Sequence, residues 1–424
     1  MKIAIVGTGI AGNVAAYHLH REHDITVFEA GSHVGGHTHT HSVELGRRAF
    51  AVDTGFIVFN DWTYPNFIGL LDELGVESQP SSMSFSVRDE ASGVEYNGTS
   101  VDTLFAQRRN LVRPSFWRMI RDILRFNREA PALLATDYDS TSLGDYLAAN
   151  RYSREFVDHY VIPMGSAIWS TDAGRMQVFP ARYFVRFFHN HGMLSVGDRP
   201  QWRVVRGGSA RYVEKLTAGF RDRIRLDTPV ERIERRSGQP WVTARGAAPE
   251  RFDAVFLACH SDQALALLAD PTRNEREVLG AIPYQENEAV LHTDARLMPR
   301  RRRAWAAWNY HVLDGARDRV ALTYNMNILQ NLDASPPLLV TLNRTAAITP
   351  ECIIKRITYH HPLYTPAGVA AQARQRDLNG TLNTYYCGAY WRFGFHEDGM
   401  VSALSALGHF KERSHAQRDL YRAA

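Results

Sequence analysis

The sequence predicts an α/β protein: a parallel-sheet domain assembled from separated stretches of chain and interleaved with an α+β domain. Three observations predict it. Residues 2–29 read as strand, glycine turn, helix and second strand, a unit of about thirty residues. Short apolar strands and turns return after Pro200 and again near residue 385. The stretches between, 86–199 and 276–370, are richer in aromatics and arginine, with no internal repeat or low-complexity linker.

The elements follow in order. Lys2 to Val6 is a short β-branched run, followed by Gly7-Thr8-Gly9-Ile10-Ala11-Gly12, a helical stretch from Asn13 to His20, and a strand from Ile25 to Phe28 that ends in Glu29. Beyond Pro200 come Val204-Val205, Gly207-Gly208, a helix from Ala210 to Phe220, and the stretch Ile224 to Ile233. Phe252 to Ala258 and Tyr385 to Gly388 read as buried strands, and Met400 to Leu407 as a buried helix. The division this predicts is 1–85, 200–275 and 371–424 for a discontinuous nucleotide domain. Residues 86–199 and 276–370 form the substrate-binding domain.

A chain of 424 residues accommodates two or three such units at roughly 150 residues each. Hydrophobic residues at 45% and charged residues at 22% suit a sizeable core, and a formal charge of +4 is too small to argue for nucleic acid. Three widely spaced cysteines (Cys259, Cys352, Cys387) with no CxxC pair suggest neither a disulfide framework nor a zinc site, and fit a reducing cytosol. The opening apolar run is too short for a secretory leader and reads as a strand. No stretch approaches the roughly twenty apolar residues of a transmembrane helix.

The glycine turn carries the first chemistry. Gly7 permits the tight turn, Gly9 lets backbone approach a pyrophosphate, and Gly12 lets the helix pack closely on the sheet. The helix N-terminus then offers unpaired N–H groups and a positive dipole to phosphates. Glu29 stands where a carboxylate hydrogen-bonds both ribose hydroxyls. The tight pairs that follow, Gly35-Gly36-His37-Thr38 and Val52-Asp53-Thr54-Gly55, fit backbone crowded against an extended ligand and favour FAD over NAD. No second GxGxxG appears, so no dedicated nicotinamide domain is expected.

These residues resemble the FAD-binding signature of the amine oxidase, phytoene desaturase and protoporphyrinogen oxidase superfamily. Trp202 to Leu216 is similar to its paired-glycine segment, Thr228 to Ile233 to the strand whose valine backbone meets the adenine, and Phe252 to His260 to the strand that follows. Tyr386-Cys387-Gly388-Ala389 and Glu397-Asp398-Gly399-Met400 resemble the segment that closes over the pyrophosphate and the flavin. The resemblance implies a Rossmann-like FAD-binding domain and non-covalent FAD. It implies cofactor contacts from Gly7, Gly9, Ile10, Ala11, Gly12, Glu29, Ala30, Gly35, Gly36, His37, Thr38, Thr54, Gly55, Val230, Gly388, Glu397, Asp398, Gly399 and Met400. The family often carries an arginine where this chain has His37. Within it, Gly394-Phe395-His396-Glu397-Asp398-Gly399 resembles a bacterial subgroup linked to cyclopropane-type fatty-acid methyltransferases. Ala167-Ile168-Trp169-Ser170, Asn190-His191-Gly192 and Trp308-Asn309-Tyr310-His311 are further pieces shared with that subgroup.

In such a flavoenzyme N5 of the flavin accepts a hydride, and a helix beginning near Gly399 would favour the anion of the reduced ring. His396 is the candidate near the reacting face, as a base or as a structural residue; His191 and His311 are weaker ones. His37, His39 and His41 alternate, so a strand would place them on one face, where phosphate contact or surface placement explains them better than a metal. Phe179, Tyr183, Phe184, Phe187, Phe188, Trp305, Trp308 and Tyr310 read as core, with some free to wall an apolar channel. Arg108 to Arg128 sets Trp117, Ile120, Ile123 and Leu124 at helical spacing among arginines, with a second basic cluster at Arg300 to Arg303. Such a helix can lie on an anionic bilayer at the inner face of the membrane, each cation contributing about 1 kcal/mol. A domain helix with its apolar face packed inward explains it more simply.

Three functions follow from the resemblance. The first is oxidation of an apolar substrate, a lipid acyl chain above all. The second is oxidation of a small or polymeric amine. The third is a non-enzymatic flavin-binding partner of a lipid methyltransferase.

Overall fold

The computed structural model describes residues 1–135, 141–314 and 319–423, with side chains up to 414. Residues 136–140 and 315–318, inside the predicted substrate-binding segments, and residue 424, in the predicted nucleotide domain, lie outside the described residues.

A five-stranded parallel sheet runs in the order Ile224–Arg225, Asp24–Phe28, Lys2–Val6, Ala254–Leu257, Thr384–Tyr386. Parallel strands are covered on both faces, so both faces of each strand must be apolar. Ile3 and Ile5 point into one core with the helices Ile10–Leu19, Ala210–Thr217 and His396–Ala423. Ala4 and Val6 point the other way, against Val242 of the antiparallel strands Val230–Arg236, Gln239–Ala244 and Glu250–Arg251. The fold is therefore the expected mixed α/β arrangement, with its central sheet drawn from three distant stretches of chain.

A seven-stranded sheet runs in the order Ile353–Pro362, Tyr284–His292, Leu339–Leu342, Leu322–Asn325, Trp308–Val312, Phe85–Asp89, Glu95–Asn97. All its pairings are antiparallel except Trp308–Val312 with Phe85–Asp89. Helical segments between residues 114 and 190 pack their own aromatic core around Phe126, Phe156, Phe184 and Phe188. Helix Pro114–Glu129 buries Phe116, Met119 and Phe126, so its inner face packs as the simpler reading expects. No helix among the described residues is long and apolar enough to cross a membrane.

Several boundaries differ from the sequence reading, three of them with a clear physical reason. The first helix starts at Ile10 rather than Asn13, because Gly12 belongs to the helix and lets it close against the Gly7 carbonyl. Ile224 to Ile233 divides at Asp227 (φ +48°) into strands of two different sheets. The last helix starts at His396 and runs 28 residues, since its polar first turn is buried against neighbours instead of forming a loop.

Candidate functional site

The residues converge on one cavity of ≈ 710 Å³ between the parallel sheet and the seven-stranded sheet. At one end, Gly7 takes φ +103°, a conformation that favours glycine, and places Gly9 as the cap of helix Ile10–Leu19. Among the described residues no side chain caps that helix, which leaves its first N–H groups open to an anion. A Cβ on Gly9 would meet nothing within 4 Å. Gly36 backs this turn so closely that a Cβ on it would lie 3.0 Å from the Gly9 Cα.

Glu29 leaves the end of strand Asp24–Phe28 beside the turn. Its carboxylate accepts the N–H of Thr8 at 2.9 Å, the N–H of Gly31 at 2.8 Å and the Thr8 hydroxyl. That fixes its orientation while it still lines the cavity. Val230 of the antiparallel sheet lines the same end.

The middle of the cavity is walled by the segment 54–58 and by the strand Ile353–Pro362. Gly55 crosses the His37 carbonyl so closely that a Cβ would lie 2.1 Å from the oxygen. The Thr54 hydroxyl bonds the Tyr359 hydroxyl at 2.8 Å, joining the two walls. The His37 ring stacks on Tyr359 with centroids 4.9 Å apart. The far end is aromatic: Trp169, Trp308, Tyr324, Tyr364, Phe393 and Phe395 line it.

Of the predicted cofactor residues, the structure brings Gly7, Gly9, Ile10, Ala11, Glu29, Ala30, Gly35, Gly36, His37, Thr54, Gly55, Val230 and Gly388 to the cavity wall. Six others stand behind it. A Cβ on Gly12 would lie 1.9 Å from the Gly7 oxygen, so Gly12 serves helix packing. The Thr38 hydroxyl bonds Tyr212 at 2.7 Å. Glu397 turns away and accepts the N–H groups of Asn66 and Phe67 at 3.0 and 2.9 Å, capping helix Pro65–Glu73. Asp398 accepts the Phe395 N–H at 3.0 Å, and burial pushes its carboxyl up to about 7. A Cβ on Gly399 would lie 2.6 Å from Ile10, so Gly399 spaces the last helix against the first. Met400 is core. The helix itself begins three residues before Gly399, and its first turn, not Gly399, approaches the cavity at His396.

His396 lines the wall, stacked on Phe56 at 3.7 Å with its Nε2 2.7 Å from the Tyr212 hydroxyl. Burial, then the nearby His37, hold its pKa down to about 3, which makes it a weak proton acceptor. His191 stacks on Phe187 and its Nδ1 lies 2.9 Å from the Phe187 carbonyl, so it is a core residue. His311 is buried with Nε2 3.0 Å from the Thr323 hydroxyl. The three alternating histidines part company. Only His41 of the three belongs to a strand, and His39 lies between His33 and His41 with centroids 3.9 and 4.0 Å away, while His37 joins the cavity. Among the described residues no group of three His, Cys, Asp or Glu could hold a metal ion. Of the eight aromatics singled out, Trp308 reaches the wall, while Phe179, Phe184, Phe187 and Phe188 are core.

Sequence reasoning missed Phe56, His260, Tyr284, Tyr359, His361 and Tyr364. The one local signal was the run Tyr359-His360-His361-Pro362 at the end of a strand that is otherwise largely exposed.

Burial leads the causes that lower His37, His41, His191, His260 and His292 to about 4, and His39, His361 and His396 to about 3. Such groups stabilise the fold above their ordinary value of 6.5 and lose that contribution as pH falls toward 4. Asp53 and Asp398, raised by burial to about 6 and about 7, act oppositely, favouring the fold at lower pH. Eight histidines outweigh two acids, so the melting temperature should fall as pH drops from 6.5 to 4. Thermal melts across that window check this; a flat or rising profile contradicts it.

A family model described as flavin containing amine oxidoreductase matches residues 10–297. No curated protein matches the chain significantly. Among solved structures, cyclohexylamine oxidase from Brevibacterium oxydans IH-35A is similar at 18% identity with TM-score 0.71, covering 97% of this chain and 99% of that one. The CLA-producing fatty acid isomerase from P. acnes is similar at 18% identity with TM-score 0.66, over 96% and 98%. Putrescine oxidase bound to putrescine follows at 16% identity with TM-score 0.67, over 97% and 99%. At these identities the likeness is one of fold.

Proposed function

The chain belongs to the family of flavin-containing amine oxidoreductases and is an FAD-dependent oxidoreductase, and from that premise we propose that it oxidises the acyl chain of a lipid. One observation carries the choice of substrate. Among the described residues lining the cavity, Glu29 is the only acid, and it stands at the nucleotide end. The opposite end, lined by Trp169, Trp308, Tyr324, Tyr364, Phe393 and Phe395, suits an apolar chain and offers an ammonium no carboxylate. The fatty acid isomerase among the similar structures supports this reading.

The residues fit FAD. The free N–H groups after Gly9 would hold the pyrophosphate, Glu29 the ribose, and the backbone at Val230 the adenine. FAD held there would supply the two-electron acceptor for a hydride from the substrate. Cys387 is buried in the core beneath the sheet and its thiol is held far above the usual range by burial, which supports a non-covalent cofactor. Neutral His361 and His396 and the aromatic rings keep the reacting end low in charge and exclude water. Tyr212, bonded to both Thr38 and His396, fixes that wall.

The division into segments 1–85, 200–275 and 371–424 against 86–199 and 276–370 is supported by the two main sheets, which draw their strands from those respective segments; Phe85–Asp89 alone straddles a boundary. A methylated acyl chain, delivered by a cyclopropane-type methyltransferase, is supported by the resemblance of Gly394 to Gly399, of which Gly394, Phe395 and His396 line the cavity. The second reading, an amine substrate, is favoured by those same rings, which can hold an alkylammonium face-on, and by the amine oxidases among the similar structures.

Anaerobic mixing separates the two. Phospholipid with methylated acyl chains should bleach the flavin and yield a product lighter by two hydrogens, while small alkylamines leave the colour unchanged. Bleaching by amines alone would assign the second reading.

A further inference from the structure

Helix Pro114–Glu129 hides Phe116, Met119 and Phe126, yet Trp117 and Leu124 stay 48% and 53% exposed. With Arg121 and Arg128 they fall at i, i+4, i+7 and i+11, a single outward stripe that alternates apolar and cationic side chains. The stripe continues into the preceding turn, Arg108–Val112. The Trp117 indole N–H donates to the Leu111 carbonyl at 2.9 Å, which pins that turn alongside with Val112 84% exposed. Asp102, on the short helix Val101–Leu104, pairs with Arg108 and lies 3.7 Å from Arg303, drawing the second basic cluster to the same edge. Among the described residues ten large apolar side chains are exposed, and five of them belong to residues 101–124. The patch is therefore concentrated, not scattered.

Charge is equally lopsided. Residues 108–128 hold seven arginines against one acid, Asp122, which is buried. Glu155 and Glu129 offset Arg118 and Arg128 locally and leave the face cationic. A soluble polyanion would use the arginines and gain nothing from Val112, Trp117 and Leu124. An anionic bilayer surface uses both: headgroups meet the guanidinium groups, and the apolar side chains and indole enter the interface.

We propose that this face docks the protein on an anionic lipid bilayer, in contact through side chains and not through a spanning segment. The proposal stands apart from the substrate reading, since it concerns the outer side of a helix whose inner side is core.

The flavin-loaded protein is sedimented with vesicles of phosphatidylglycerol and phosphatidylcholine in equal parts, and with phosphatidylcholine alone. It should pellet with the mixed vesicles at low salt and leave them at high salt. Arg121→Gln with Arg128→Gln should weaken binding about 25-fold, at about fivefold per charge. Trp117→Ser with Leu124→Ser should weaken it by about tenfold or more. All four side chains are largely exposed, so an unchanged visible spectrum and melting temperature confirm that each variant is folded. Absence of wild-type binding to the mixed vesicles overturns the proposal. So does undiminished binding by both double variants, which would place the lipid contact elsewhere on the protein.

Discussion

Gly9→Val should give a folded chain that has lost its flavin. Gly9 sits at φ −63°, ψ 178°, a conformation valine adopts without strain, and a Cβ there would meet no atom within 4 Å. The added side chain therefore costs the fold little and projects into the space before the first turn of helix Ile10–Leu19. That is the space a pyrophosphate must enter to reach the helix N–H groups. Losing two charge-assisted hydrogen bonds at about 1.5 kcal/mol each corresponds to about a hundredfold in affinity. Purified Gly9→Val should show less than about a tenth of the wild-type flavin absorbance per chain, with an apo melting temperature matching that of stripped wild type. Gly12→Val is the contrast: its Cβ would lie 1.9 Å from a backbone oxygen, so the fold itself should fail. Full flavin in Gly9→Val would contradict the placement of the phosphates.

The second large effect is on stability. Arg235 donates to Glu275 at 2.7 and 3.0 Å and to Asp270 at 2.7 Å, and the side chains of Arg235 and Glu275 are both fully buried. Tyr386, on the last strand of the parallel sheet, donates its hydroxyl to the same Glu275. One buried pair thus ties the strand carrying Val230, helix Arg273–Leu279 and the C-terminal strand together. Arg235→Leu leaves the Glu275 carboxylate buried without its cation, a loss of about 3–5 kcal/mol. At about 2–4 °C per kcal/mol, the melting temperature should fall by about 10 °C. The double variant Arg235→Leu with Glu275→Leu should recover much of that loss. A single variant melting within about 2 °C of wild type would contradict the account.

How far the sequence carries depends on whether a residue's role is set locally. Gly7, Gly9, Gly12 and Glu29 were legible because a turn, an open approach, a tight helix packing and a strand-end carboxylate each demand one residue type within thirty positions. The pairs at Gly35-Gly36 and Thr54-Gly55 were read as backbone crowded against an extended ligand; the crowding at Gly55 is against the His37 carbonyl. Trp169, Tyr359 and Tyr364 were not legible as a wall. They arrive from distant segments, and in sequence an aromatic facing a cavity looks the same as one facing a core. The Gly394 to Gly399 motif was half legible: its first three residues line the cavity, while Glu397 caps a helix more than three hundred positions away. Nothing in the local pattern could reveal that partner.

This cavity is expected to hold one intact FAD without a covalent bond. Denaturing the purified protein and identifying what enters the supernatant tests it most directly. The supernatant should contain FAD, one molecule per chain, with no colour left on the precipitated protein. FMN, the absence of flavin, or colour that stays with the chain would contradict it.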